Sequence, residues 1–195
     1  MKSIVLASQS PRRKQLLEWA EIEFDILVKE TDESFPEDLA VTDVPVHIAR
    51  NKALAVQKSD LYERYESGNI IVAADTIVVL DNSIIGKPVD EEEAIVILTR
   101  LSGKTHTVVT GVVIMTDQKE IAFTDITEVS FHELTAEQIN YYVEHYKPLD
   151  KAGAYAIQEW IGVTGIKSIR GDFYNVMGLP VSRVVKELKN ISQNS

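Results

Sequence analysis

Apolar and polar positions along this chain fall into short blocks that switch between strand-like and helix-like spacing. Ile4-Val5-Leu6-Ala7 is a compact apolar run and predicts a buried strand. Ser8-Gln9-Ser10 turns polar, and residues 11–20 take helical spacing, with Ser10 suited to the N-cap and Pro11 to the first helical position. Residues 24–28 predict a second strand, which runs into the acidic loop 29–34. Thr42 or Asp43 then caps a helix with Val46, Ala49, Ala53 and Val56 on its apolar face and Arg50 and Lys52 off it. Residues 60–68 are polar and predict irregular or helical chain.

A nearly pure apolar run at 69–74 has the character of a central strand. Asp75-Thr76 interrupts that run and residues 77–80 resume it. Asp81-Asn82-Ser83 predicts a hairpin turn into Ile84-Ile85. Asp90 caps a helix whose first turn, Glu91-Glu92-Glu93, suits the helix dipole. Residues 105–116 and 121–131 are β-branched and predict a hairpin, and Thr135-Ala136-Glu137-Gln138 is a capping box for a helix to about Tyr146. Beyond it, 150–158 reads as a small, flexible segment, 161–163 and 166–169 as short strands, and 171–180 as a loop. Pro180 opens a last helix to about Leu188, with fraying expected over 190–195. Interleaved strands and helices give an α/β class with a mixed sheet.

Composition narrows the field. The 195 residues are 45% hydrophobic and 26% charged, as in an ordinary globular domain. The absence of cysteine excludes disulfides and thiolate metal sites. A net charge of −10 argues against broad nucleic-acid or membrane binding, although a local basic pocket would suit a small polyanion. The N-terminus enters a strand without a signal-peptide apolar region, and no run approaches the ~20 residues of a membrane span, so a cytoplasmic location is expected.

The polar residues at element ends are Ser8, Arg12, Arg13, Asp32, Glu33, Lys52, Asp75, Lys87, Lys151 and Gln158. Carboxylates suited to hard cations, with lysines and arginines suited to phosphates, are the parts of a nucleotide-hydrolysing site. Asp75 stands out because a carboxylate between two apolar runs must be paired, metal-bound or at a cleft. Arg12 and Arg13 open a helix where cations oppose the dipole, and a bound anion would account for them. As a phosphate clamp Arg13 is expected to be exposed and to contribute little to stability, whereas a packed arginine would lose stability on truncation with normal kinetics. The alternative for the same stretch is a capped surface helix with solvated arginines. Asp32 and Glu33 read equally as solvated loop acids, and Lys52 and Lys87, taken alone, as surface lysines. His106, at the start of the strand segment 105–116, reads as a structural hydrogen-bonding residue. No Walker loop, dinucleotide glycine turn or nucleophile elbow is present.

Ser8-Gln9-Ser10-Pro11-Arg12-Arg13, Ala74-Asp75-Thr76, Gly86-Lys87-Pro88, Leu101-Ser102-Gly103, His106, the stretch from Asp150-Lys151-Ala152-Gly153 to Gln158, and Gly171-Asp172-Phe173-Tyr174-Asn175-Val176-Met177-Gly178 stand in the order and spacing of the Maf family, which the chain resembles. The resemblance implies a nucleoside triphosphate pyrophosphatase of one domain, residues 1–195. Its fold would resemble that of inosine triphosphate pyrophosphatases: an elongated mixed sheet flanked by helices, with a cleft between two lobes. It further implies the subgroup acting on dTTP and UTP, which carries an arginine after the proline, a threonine after the catalytic aspartate and a glutamine closing the Lys-Ala-Gly segment. These are Arg12, Thr76 and Gln158 here. The sibling subgroup acting on 7-methyl-GTP often has an aromatic residue in place of Arg12.

By the same resemblance Asp75 matches the proposed proton acceptor. Asp75 and Glu33 would hold a divalent cation (Mg, Mn or Co), while Ser8, Arg13, Lys52 and Lys87 would hold the triphosphate. The expected partners are small-molecule nucleoside triphosphates rather than nucleic acid or membrane, and a homodimer is compatible with the sequence. The alternative from another class is a non-catalytic, nucleotide-sensing regulator of cell division and septum formation. It would keep the basic pocket without needing the metal-binding acids.

Overall fold

The computed structural model describes residues 3–62 and 69–193. The stretch 63–68, part of the polar region at 60–68, lies outside the described residues. In chain order the elements are β1 (Ile4–Leu6), α1 (Pro11–Trp19), β2 (Asp25–Ile26), α2 (Val44–Gln57), β3 (Ile70–Leu80), β4 (Ser83–Ile85), α3 (Glu91–Leu101), β5 (Thr105–Met115), β6 (Glu120–Phe131), α4 (Ala136–Tyr146), α5 (Trp160–Gly165), β7 (Ile166–Arg170), α6 (Phe173–Met177) and α7 (Val181–Gln193). Among the described residues they form a seven-stranded open sheet in the order β2-β1-β3-β5-β6-β7, with β4 paired to β3. β1 runs parallel to β2 and β3, whereas β3–β4 and β6–β7 are antiparallel. The class is α/β with a mixed sheet, as expected.

The chain divides into two compact units. The first comprises Met1–Asp75, Thr110–Asp125 and Gly178–Ser195. Its core joins Val5, Ile71 and Ala73 on the strands, with Ala7 just beyond β1, to Ala49, Ala53 and Val56 of α2. Small residues on α2 let helix and sheet approach closely. Gly111 takes this furthest: a Cβ there would lie 2.2 Å from the backbone nitrogen of Val46, so any side chain would push α2 away. α1 starts as its sequence predicts, with the Ser10 hydroxyl accepting the Arg13 N–H at 3.4 Å. α2 begins after Asp43, whose side chain makes no capping bond, and buries Ile48 besides the expected alanines.

The second unit comprises Thr76–Val109 and Ile126–Met177. Here α3 packs on α4 and on a 3-10 turn at Ala152–Ala154. Asp90 caps α3 by accepting the Glu93 N–H at 2.8 Å, and Thr135 and Gln138 form the expected capping box on α4. Asp81 and Asn82 both take positive φ, the geometry of a two-residue hairpin turn, between β3 and β4.

Four local expectations are corrected. Residues 161–163 belong to α5, because the Glu159 carbonyl accepts the Gly162 and Val163 N–H groups at 2.9 and 3.2 Å and starts a helical turn. The loop at 171–180 contains α6, nucleated where Asp172 accepts the Tyr174 N–H at 2.8 Å. The segment at 150–158 is packed, with Ala154, Tyr155, Ala156 and Ile157 buried. α7 continues to Gln193 rather than ending near Leu188, so residues 190–193 of the stretch expected to fray are helical, with Ile191 buried.

Candidate active site

β1 ends at Leu6, and the chain leaves the sheet through Ser8 into α1. Ser8 is 7% exposed and Arg13 only 8%, so the expectation of a solvated Arg13 is corrected. Arg13 sits on the face of α1 that also buries Leu16 and Leu17. Its Nε donates to the Gly178 carbonyl at 2.8 Å and one terminal nitrogen donates to Ser8 Oγ at 3.1 Å. Ser8 Oγ also accepts the Ser10 N–H at 3.2 Å, which leaves its own proton for an acceptor such as a phosphate oxygen. Burial lowers the Arg13 guanidinium from its ordinary value; Asp75 and Glu33 pull it back up, and Arg12 adds to the lowering. A guanidinium stays charged under such pressure. Arg13 is therefore a fixed, oriented cation rather than a mobile surface arginine.

β3 runs unbroken through Asp75, which is partly buried with its side chain 14% exposed. Lys52, one turn before the end of α2, brings its ammonium 2.7 Å from Asp75 Oδ1 and 2.8 Å from Glu33 Oε1. Lys52 is thus no surface lysine: the approach of its helix to the strand buries most of its side chain, leaving 18% exposed. The loop acid Glu33 faces that ammonium, whereas its neighbour Asp32 turns back on its own loop. Asp32 accepts the Ser34 N–H at 2.9 Å and its hydroxyl at 2.7 Å, and these bonds hold its carboxyl below the usual range. Arg12 is half-buried at the start of α1. In the first unit, Ser8, Arg13, Glu33, Lys52 and Asp75 thus form a connected electrostatic group.

Thr76, Lys87 and Gln158 belong to the second unit. Thr76 follows Asp75 on β3 and is half-buried. Lys87 and Gln158 are exposed, and neither side chain makes a hydrogen bond or ion pair among the described residues. The Gly86 carbonyl, next to Lys87, accepts the Gly153 N–H at 3.1 Å, so the Lys87 turn is tied to the segment that carries Gln158. His106 is a structural residue, as expected: 2% exposed, stacked on Phe131 and 2.7 Å from the Tyr155 hydroxyl. Tyr142 and Glu159 escaped the sequence reading. The signal was a tyrosine on the apolar face of α4, since a buried phenol needs a polar partner.

Asp75 and Glu33 supply hard carboxylate oxygens that already converge on one cationic nitrogen. Among the described residues no group of three or more histidine, cysteine or acidic side chains forms a metal cluster. Two carboxylates with further ligands from substrate phosphates and water is a common way to bind Mg²⁺, so the residues present fit such an ion. An oriented guanidinium, an ammonium, a serine proton and two carboxylates together can hold a polyphosphate and accept a proton from water.

The pattern of the family described as Maf-like protein matches residues 3–191. The chain is 51% identical over 188 residues to a dTTP/UTP pyrophosphatase of Cytophaga hutchinsonii, covering 96% of this chain and 84% of that protein. It is 45% identical to one of Bacteroides thetaiotaomicron, over 96% of this chain and 95% of the relative. A Bacillus cereus protein of the same name is 47% identical, with 97% and 95% covered.

Proposed function

This chain belongs to the Maf-like family, and from that premise we propose that it hydrolyses dTTP and UTP to the monophosphate and pyrophosphate. The observation that carries the proposal is the Lys52 ammonium held between Asp75 and Glu33 in the same electrostatic group as the buried Arg13. Water attacks the α-phosphorus. A new P–O bond forms, the bond to the β-bridging oxygen breaks, and pyrophosphate leaves with that electron pair. Asp75 accepts the proton released by the attacking water. Arg13, Lys52 and Lys87 neutralise charge on the phosphate chain, and Ser8 donates its hydroxyl proton to a phosphate oxygen. Asp75 and Glu33 would hold a divalent cation (Mg, Mn or Co), which when bound supplies further neutralisation of the triphosphate.

Base selection rests on Arg12, Thr76 and Gln158. A side-chain amide both donates and accepts, which matches the carbonyl–NH–carbonyl edge shared by uracil and thymine. Cytosine presents an amino group and a bare acceptor at the corresponding positions and leaves the polar groups that the bound base would cover mispaired, at about 1–3 kcal/mol each. We place the enzyme in the cytoplasm, acting on free nucleotides rather than nucleic acid, as one domain that is open to homodimer formation. No helix among the described residues is long and apolar enough to cross a membrane.

The test is product analysis over a nucleotide panel with Mg²⁺, Mn²⁺ and Co²⁺. UTP and dTTP should release pyrophosphate much faster than CTP or the purine triphosphates. Orthophosphate as the product would overturn the reaction, and ATP or GTP as the best substrate would overturn the base assignment. Tight nucleotide binding without turnover would favour the sensing regulator instead.

A further inference from the structure

Gln158 is exposed, yet the backbone on both sides of it is held from a single point inside the second unit. Tyr142 of α4 is fully buried, and its hydroxyl accepts the Ala156 N–H at 3.1 Å. The same hydroxyl donates a short hydrogen bond to the Glu159 carboxylate. One phenol therefore bonds two residues before Gln158 and one residue after it. Lys151, 8% exposed, stands 3.6 Å from the other oxygen of Glu159 and 2.7 Å from Asp150. Its charge keeps Glu159 in place to accept from Tyr142. Glycine closes the same segment from the far side: a Cβ on Gly162 would lie 1.8 Å from the Ile157 carbonyl oxygen, so that peptide is pressed against α5.

Gln158 has no partner of its own among the described residues, so its amide is placed only by the backbone that carries it. A binding group must be held to within a fraction of an ångström to discriminate one base edge from another.

We propose that Tyr142, Glu159 and Lys151 are positioning residues for base selection, acting through the backbone that flanks Gln158. The inference rests on the reading that Gln158 meets the pyrimidine, and extends it to three residues that touch no substrate.

Tyr142→Phe removes the hydroxyl and keeps the ring. In the full-length enzyme it should reduce the preference for UTP over CTP (the ratio of kcat/KM) by about tenfold, the equivalent of one misplaced hydrogen bond. The loss should lie mainly in KM for UTP. Gln158→Ala should reduce the ratio at least as far, and adding Tyr142→Phe to Gln158→Ala should reduce it no further. Glu159→Gln, which keeps an acceptor for Tyr142 but drops the charge facing Lys151, provides an independent arm and should move the ratio in the same direction. If Gln158→Ala compresses the ratio while Tyr142→Phe and Glu159→Gln leave it at the wild-type value, the positioning role is overturned. Equal slowing of UTP and CTP, tracking a lower melting temperature, overturns it as well. An unchanged ratio in Gln158→Ala itself removes the base reading and this inference with it, while leaving the pyrophosphatase assignment intact.

Discussion

Lys52 in the first unit and Lys151 in the second are each enclosed by two carboxylates. Lys52 lies 2.7 Å from Asp75 and 2.8 Å from Glu33; Lys151 lies 2.7 Å from Asp150 and 3.6 Å from Glu159. The charge inventory is the same, but the surroundings differ. Around Lys52 the next charged group is Arg13, itself buried and under the influence of both acids. Around Lys151 the next group is the neutral Tyr142 hydroxyl, which binds Glu159 and the Ala156 backbone. Partly buried ion pairs gain little net stability, because desolvation offsets most of the attraction. What each cluster does is therefore decided by its neighbours. Further cations favour capture of a polyanion, whereas a packed hydroxyl makes a brace.

The same substitution made in both clusters puts the largest strain on this contrast. Asp75→Asn keeps the size but removes the charge and the proposed proton acceptor, and a positioned base contributes roughly 10²–10⁴-fold. Turnover of UTP should fall by at least about 10²-fold with the circular dichroism spectrum unchanged. Asp150→Asn, at a half-exposed carboxylate outside the polyanion group, should change turnover by less than about twofold, since it removes neither a proton acceptor nor a cation. Comparable losses in the two variants would mean that the clusters do not divide chemistry from bracing.

Arg13 comes next. Arg13→Ala should weaken UTP hydrolysis and also lower stability by about 1–3 kcal/mol, because the Gly178 carbonyl loses its buried donor. Arg13→Lys restores a charge but cannot reproduce the fork that reaches Gly178 and Ser8 together. It should recover more KM than melting temperature, measured on one preparation. If Lys recovers both equally, the guanidinium geometry is irrelevant and Arg13 is a point charge.

The dual role proposed for Arg13 bears on what could be read from the sequence and what could not. The strand–loop–helix opening was legible, because Ser10, Pro11 and the apolar run before them obey local rules of capping and periodicity. Asp75 was legible as well, since a carboxylate within an apolar strand is a conflict that demands a partner. Its ion pair with Lys52 was not, since the resemblance put Lys52 on the phosphates. Lys52 lies on a helix, Glu33 on a loop and Gly178 near the end of the chain, and only the fold brings them to Asp75 and Arg13. The burial of Arg13 was invisible for the same reason, so its expected surface exposure failed. The three apolar residues at 161–163 were misread because so short a run fits a strand and a buried helical turn alike.

A third prediction asks whether the buried polar residues of the second unit outside the Lys151 cluster also serve structure. Burial lowers the His106 pKa to about 4, below its ordinary value near 6.5. The unfolded chain therefore binds the proton more readily. The stability gained by burying neutral imidazole is fully present above about pH 6.5 and drains away as pH falls towards 4. Between pH 7 and pH 5 this amounts to about 2 kcal/mol. Denaturant unfolding at the two pH values should show that loss in the wild type and not in His106→Gln, beyond whatever both proteins share. A His106→Gln variant that loses as much would place the acid sensitivity elsewhere.

The smallest effect comes from an ion pair that belongs to neither cluster. Arg50 donates through two nitrogens to one Glu120 oxygen, at 3.0 and 2.8 Å. The pair lies in the first unit, as Lys52 does, and its geometry is nearly as short. Its side chains, however, are 39% and 34% exposed. Water and salt screen such a pair, and exposed pairs contribute about 0.2–1 kcal/mol. Glu120→Gln should therefore lower stability by no more than about that amount, with the difference shrinking in 1 M salt. UTP turnover should be unchanged, because among the described residues the ion pair and hydrogen bonds of Arg50 and Glu120 join them to each other and not to Asp75, Lys52 or Arg13. If Glu120→Gln instead slowed turnover tenfold, distance in the charge network would be no guide to function. The division between Lys52 as part of a polyanion site and Lys151 as part of a brace would then lose the electrostatic reasoning on which it stands.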